Sequence, residues 1–178
     1  MYVLVSLAAK GGWSTFAVLG STTADPSVCH AHESPLLCEY RLVRPAVALI
    51  LLGTNDVLDT SDDAYRANLR RIVSDSLGQG VIPVLSTIPP FQRAGYEGRV
   101  GTFNAIIAAV AQEYDVPVWH YWEALQSLPN QGMGPDGVHP SAAPAPAGFT
   151  PENLQYGFTV RNLTALQVLD AVWRQALY

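Results

Sequence analysis

Ala46-Val47-Ala48-Leu49-Ile50-Leu51-Leu52-Gly53-Thr54-Asn55-Asp56 is the stretch that decides the fold of this chain. Ala46 to Leu52 is an unbroken apolar run, and Gly53 to Asp56 is a polar turn. An apolar run of that length without alternation reads as a strand buried on both faces, the kind that parallel sheets need. The turn then stands at the strand's carboxy end, where open parallel sheets collect functional side chains.

Downstream, Thr60 or Ser61 is placed to cap a helix, with Asp62 and Asp63 in its first turn. Tyr65, Leu69, Ile72, Val73 and Leu77 share one face of it, and Gly78 to Gly80 stops it. Val81 to Leu85 predicts a second strand, and Val100, Phe103, Ile106, Ile107, Val110 and Tyr114 predict a second helix. Val116 to Trp119 follows as a strand. After a Gly/Pro-rich loop over 128–149, Leu163, Leu166, Leu169, Val172 and Trp173 mark the apolar face of a terminal helix.

Upstream, Tyr2 to Ala8 reads as a strand ended by Gly11-Gly12, and Thr15 to Leu19 as a helix ended by Gly20. Residues 20–37 read as a loop, and Glu39 to Val43 as a short helix stopped by Pro45. Strand alternating with helix implies an α/β fold, a parallel sheet with helices on both faces and right-handed crossovers.

With 178 residues, 49% hydrophobic and 14% charged, the chain has the size of one domain, 1–178, with a substantial core. A domain of that length buries roughly 70% of its unfolded surface. The net charge of −5 opposes a nucleic-acid partner, and Arg66, Arg70 and Arg71 have the spacing of a solvated helix face. No apolar stretch reaches the roughly 18 residues of a membrane span. Met1 to Leu7 lacks the basic start and cleavage site of a signal peptide.

Cys29 and Cys38 flank His30, His32 and Glu33. A four-ligand metal site would use both cysteines and both histidines, but the close paired spacing of zinc ligands is missing. A disulfide is the preferred reading over two free thiols. It implies an extracellular or periplasmic location, whereas free thiols would fit the cytoplasm. No metal or cofactor is expected.

Three segments carry chemistry: Gly12-Trp13-Ser14-Thr15, Gly53-Thr54-Asn55-Asp56 and Asp136-Gly137-Val138-His139-Pro140-Ser141. An Asn side chain supplies a fixed NH2 donor, and a Gly lets a backbone N–H approach a ligand closely. Two such donors aimed at one point are what a tetrahedral oxyanion needs. His139 has the spacing from Asp136 for a general base whose Nδ1 is held by a carboxylate. Taken alone, each segment is also an ordinary turn. Trp119, Tyr121 and Trp122 could wall a substrate site, but aromatics at a strand end read first as core.

Together these segments resemble blocks II, III and V of the SGNH (GDSL-type) serine hydrolases. The resemblance implies a three-layer α/β/α sandwich with a parallel sheet, the flavodoxin-like SGNH hydrolase fold. It also implies ester hydrolysis without a cofactor, on a small-molecule acyl or acetyl ester. Asn55 and Gly12 would hold the oxyanion, with Gly20 as the other glycine candidate; His139 would be the base and Asp136 its partner. Block I, a Gly-Asp-Ser segment carrying the nucleophile, is absent from these residues. In the family that segment sits on a first strand, normally central in the sheet. The expectation is an amino-terminally incomplete domain, missing the first strand and helix and impaired as an esterase. The alternative is that Met1 to Leu7 takes the missing strand's place and brings Ser6 to the nucleophile position. The rival function is a non-catalytic remnant or a small-molecule or carbohydrate-binding module on the same rim. A nucleotide-binding reading fails for want of a Gly-rich phosphate loop.

Overall fold

Side-chain alternation along three short parallel strands divides the core of this protein in two. The strands are β1 (Val47–Ile50), β2 (Ile82–Ser86) and β3 (Val118–Trp119), in the order β1-β2-β3 among the described residues. Val47 lies opposite Ile82, and Leu85 opposite Val118. Successive side chains of a strand point to opposite faces. Ala48, Ile50 and Leu85 accordingly pack into one apolar cluster, while Val47, Leu49 and Val84 pack into another. The structure is a computed structural model that describes residues 6–96, 98–145 and 147–177.

The first cluster is covered by α1 (Thr15–Leu19), α2 (Pro35–Val43), α3 (Asp56–Asp59), α4 (Asp62–Gly78) and α5 (Arg99–Tyr114). The second is covered by α6 (Tyr121–Leu125) and α7 (Gly157–Val172). The result is a three-layer α/β/α arrangement, as the sequence predicts. Ser61 starts α4 by accepting the Ala64 N–H at 3.3 Å, with Asp62 and Asp63 in the first turn. Tyr65 of α4 stacks on Phe103 of α5, with ring centroids 4.1 Å apart. Among the described residues no helix is long and apolar enough to cross a membrane.

Several expectations are corrected. α2 begins at Pro35 rather than Glu39, because Ser34 caps it through the Leu37 N–H and Pro35 fits the first turn. Leu77 is exposed; the buried fifth member of the α4 face is Ser76, whose hydroxyl donates to the Ile72 carbonyl and meets the Tyr40 hydroxyl at 2.9 Å. In α7 the buried face runs through Val160 and Val172, with Ala165 and Val168 packed against the same cluster. Leu166 and Trp173 face outward instead. Of the predicted amino-terminal strand, Met1 to Val5 lie outside the described residues, and Ser6 to Ala8 are not in a strand.

Cys29 and Cys38 are joined in a disulfide with Cα atoms 5.4 Å apart, so neither sulfur is free to ligate a metal. The bond is compatible with an extracellular or periplasmic location. The loop it closes is further held by Glu33, which pairs with Arg41 at 2.8 Å. That guanidinium, before any other cause, lowers the Glu33 carboxyl to about 2.

The chain purified without reductant is expected to show no titratable thiol. The paired substitution Cys29→Ser, Cys38→Ser should cost about 2–3 kcal/mol in urea unfolding, the loop-entropy value for a closure of this size. An unchanged urea midpoint would show that the loop is ordered without the bond.

Candidate active site

The rim where β1 ends is built around a glycine that admits no side chain. Gly53 has φ +133°, and a Cβ there would stand 2.5 Å from the Tyr65 hydroxyl and 2.9 Å from Ile88. The Tyr65 hydroxyl needs that space to donate to the Leu52 carbonyl at 2.8 Å. The turn it fixes presents Asn55, whose Nδ2 donates to the Trp13 carbonyl at 2.9 Å. An amide NH2 has two hydrogens, so one donor is left over.

Asp56 ties the same turn to the amino-terminal loop. Its carboxylate is fully buried and accepts the Thr15 N–H at 3.0 and 3.1 Å and the Thr15 hydroxyl at 2.5 Å. Burial raises the Asp56 carboxyl above its ordinary value, opposed by those Thr15 hydrogen bonds. Asn68 of α4 completes the chain by donating to Thr15 Oγ1 at 2.9 Å. Thr15 and Asp56 were not singled out as site residues from the sequence. The signal available was a hydroxyl two residues after Trp13 and an acid at the end of a buried strand.

Gly12 lies in the loop so clamped, with φ +81°, and its N–H has no acceptor among the described residues. Gly20, the other candidate, uses its N–H to close α1 on the Phe16 carbonyl at 2.9 Å. Gly20 does not line the cavity described below.

His139 is delivered by a tight loop before α7. Gly137 adopts φ +66°, which brings its carbonyl to the Gln92 N–H at 2.7 Å. The Gly134 N–H donates to the His139 carbonyl at 2.8 Å. Ser141 then joins the loop to the start of α7: its hydroxyl donates to the Gly132 carbonyl at 3.1 Å and accepts the Gly157 N–H at 2.9 Å. Within this frame Asp136 Oδ2 meets His139 Nδ1 at 2.6 Å, while Oδ1 accepts the Val138 and His139 backbone N–H groups at 3.0 Å. The imidazole first, and those N–H groups second, hold the Asp136 carboxyl far below the usual carboxylate range. With Nδ1 engaged, Nε2 is the ring nitrogen left for chemistry.

Gly12, Asn55 and His139 line one cavity of about 700 Å³. Ser6 lies on its wall, with Oγ accepting the Ala8 N–H at 3.2 Å. Trp119 and Tyr121 are buried in the second apolar cluster; Tyr121 donates to the Gly157 carbonyl at 3.1 Å and also touches the cavity. Trp122 packs against the first cluster, half-buried.

Comparison with known proteins agrees with the fold. The family model of the GDSL-like lipase/acylhydrolase family matches residues 2–143. The chain belongs to that family. Among solved structures it is similar to a GDSL-like lipase from Bacteroides thetaiotaomicron VPI-5482, at 19% identity and TM-score 0.59, over 75% of this chain and 66% of that one. It is also similar to a catalytic mutant of an acetylxylan esterase from Geobacillus stearothermophilus, at 18% identity and TM-score 0.56, over 72% of this chain and 61% of that one. A lipase/acylhydrolase from Enterococcus faecalis gives 20% identity and TM-score 0.53, over 72% and 66%. The chain thus spans less than two thirds of the length of these structures. No curated protein matches its sequence.

Two outcomes follow from the geometry. The Asp136 carboxyl should titrate below the ordinary value near 4, and His139→Ala should move its midpoint back upward, as read by carboxyl carbon NMR. Because the folded-state value is depressed, the stability this contact contributes is present above the unfolded value and is lost as pH falls through the folded one. Separately, Gly53→Ala should cost about 2–4 kcal/mol from overpacking and a strained φ. The cost should be smaller in a Tyr65→Phe background, since the hydroxyl is the nearest clash. An additive double-mutant cycle would refute the contact as the cause.

Proposed function

We propose that this member of the GDSL-like lipase/acylhydrolase family carries the oxyanion and general-base half of a carboxylic ester hydrolase site. His139, held by Asp136 and lining the cavity that Asn55 and Gly12 also line, is the observation that supports the reading. In the proposed mechanism, Asp136 fixes the Nδ1–H tautomer, so Nε2 can take a proton from an attacking hydroxyl and return it to the leaving alcohol. The Gly12 N–H and the second Asn55 N–H would meet the carbonyl oxygen as it becomes an alkoxide. The substrate class is an acyl or acetyl ester of a small molecule, and the proposal requires neither metal nor cofactor.

These 178 residues contain no Gly-Asp-Ser segment, so the nucleophile is the weak point of the chain as an esterase. Ser6 is the substitute at hand, being on the cavity wall. A residual rate is the expectation, since removing a triad nucleophile elsewhere leaves only about 10³–10⁴ over water. The competing reading is a non-catalytic pocket that binds a carboxylate or a carbohydrate. What favours it is the engagement of one Asn55 donor by the Trp13 carbonyl. We place the chain in one domain, working outside the cytoplasm, where the Cys29–Cys38 bond persists.

Chain 1–178 assayed on a short-chain aryl ester should give slow turnover. Asn55→Ala should reduce it by roughly 10²-fold, the worth of one oxyanion donor, and where Ser6 serves as nucleophile His139→Ala should abolish the serine-dependent part. Loss with Ser6→Ala would identify Ser6 as the nucleophile. A rate indifferent to both His139→Ala and Asn55→Ala would refute the hydrolase reading and leave the binding pocket.

A further inference from the structure

We propose that a groove between α5 and the β3–α6 junction is a second binding site on this rim, one that takes the ring of a neutral sugar. The groove is a cavity of about 300 Å³ at the carboxy ends of β2 and β3. Open parallel sheets take their ligands at that end. Gly101, Ala105 and Ala108 of α5, all exposed, form one wall, and His120, Trp122 and Glu123 form the other. The first wall is bare: a Cβ at Gly101 would meet nothing within 4 Å, so packing does not call for glycine there. The volume is at the lower end of the roughly 300–1,000 Å³ of small-ligand sites, room for one ring and not for a chain.

The polar groups of the groove keep unused hydrogen-bonding capacity of both kinds. The Glu123 carboxylate is loosely held, by His120 Nδ1 at 3.4 Å and by the Thr87 hydroxyl at 3.4 Å. Charge-assisted bonds to a carboxylate are ordinarily about 2.7–2.9 Å long. Asn104 donates one Nδ2 hydrogen to the Ile88 carbonyl at 3.3 Å, which leaves the other. His120 Nε2 and the Trp122 indole N–H have no partner among the described residues. A carboxylate acceptor, an amide donor and an imidazole beside an indole and an apolar wall match a pyranose, which has C–H faces and a rim of hydroxyls. The Glu123 charge opposes an anion. An alkylammonium ion would find Glu123 and the indole, but it would leave the Asn104 and Trp122 donors without an acceptor. A hydrocarbon would leave every polar group of the groove unanswered.

On the proposed function the groove becomes a subsite for the alcohol part of the ester. Thr87 lines it, and Pro89, two residues on, lines the cavity of Asn55 and His139. β1 and β3 flank β2, so their carboxy ends stand about 10 Å apart. A sugar held in the groove would bring an acylated neighbouring ring to the Asn55 side of the rim. This consequence rests on the proposed function; sugar binding in the groove does not.

The test is to titrate isotope-labelled chain 1–178 with cellobiose and follow the tryptophan indole N–H signals by NMR. Saturable movement of the Trp122 signal is expected, with that of the exposed Trp173 unmoved. Ala105→Leu, at an exposed helix position that folding tolerates, should abolish the movement by filling the groove. Glu123→Ala should weaken binding roughly tenfold, the worth of a bond to a charged group. No saturable movement, equal movement of Trp173, or movement that survives Ala105→Leu would overturn the proposal. So would a saturable Trp122 response to tetramethylammonium chloride and none to cellobiose, which would assign the groove to a cation. A second arm compares turnover of monoacetylated cellobiose and of an aryl acetate. Ala105→Leu should lower the ratio of their kcat/KM values about tenfold, as remote binding energy is lost. Sugar binding without turnover of either ester would uphold the groove and refute the hydrolase reading. Aryl-ester turnover without sugar binding would refute the groove alone.

Discussion

The buried carboxylate of Asp56 is the interaction on which the rest of this site depends. Burying an ionised carboxylate is unfavourable unless its oxygens are satisfied. Here the Thr15 N–H and hydroxyl supply the hydrogen bonds, with Asn68 fixing the hydroxyl in turn. The direction of the Asp56 shift shows that burial still outweighs them. What the arrangement secures is geometry: Thr15 lies three residues from Gly12, and Asp56 is adjacent to Asn55. One carboxylate thereby locks the two oxyanion candidates against each other, and the Asn55–Trp13 bond closes the same junction a second time. Neither segment has regular structure long enough to do this alone, since α1 and α3 are each little more than one turn.

The opposite side of the rim is positioned by different means. His139 hangs from a loop fixed through backbone contacts: Gly137 to Gln92, Gly134 to the His139 carbonyl, and Ser141 to both Gly132 and Gly157. A Cβ at Gly157 would meet the Gly132 carbonyl oxygen at 2.1 Å, so the start of α7 and the loop share one close contact. α7 therefore covers the second apolar cluster and holds the histidine loop at the same time. Packing and the placement of His139 are coupled there through Ser141 rather than through the imidazole.

Much of this was legible in the sequence, for physical reasons that differ by segment. The Ala46–Leu52 run could only be a doubly buried strand, and Ser61-Asp62-Asp63 before a periodic face could hardly fail to start α4. The Asp136–His139 spacing fits a side-chain contact inside one tight loop, where no long-range information is needed. The first turn of α2 falls in the stretch 20–37 that reads as a loop, although Pro in the first turn after Ser34 favours helix initiation. The buried face of α7 was misassigned because Phe158, Val160, Leu163, Leu166, Val168 and Leu169 place apolar residues nearly all round it. Periodicity cannot choose a face on such a helix; contact with Trp119, Tyr121 and Leu125 does. Leu77 lost its expected place to Ser76, since the buried Tyr40 hydroxyl called for a polar neighbour. The Asp56 clamp escaped notice because a long-range side-chain contact between residues 41 apart leaves no local pattern.

The exposure of His139 sets an electrostatic problem at this rim. The imidazole is 73% exposed, and its partner Asp136 is 49% exposed. In water a charge pair at 4 Å is worth about 1 kcal/mol, against about 4 at the effective dielectric of a protein surface. An active site gains its power by excluding water from such groups and replacing it with fixed dipoles. The oxyanion candidates are already fixed, Asn55 by the Trp13 carbonyl and the loop of Gly12 through Thr15 on Asp56. The imidazole is oriented but wet, and the cavity it lines runs back along β1. The Asp136–His139 pair is therefore held in order by its loop, while the dry, low-dielectric surroundings that would strengthen it depend on what fills the cavity His139 lines.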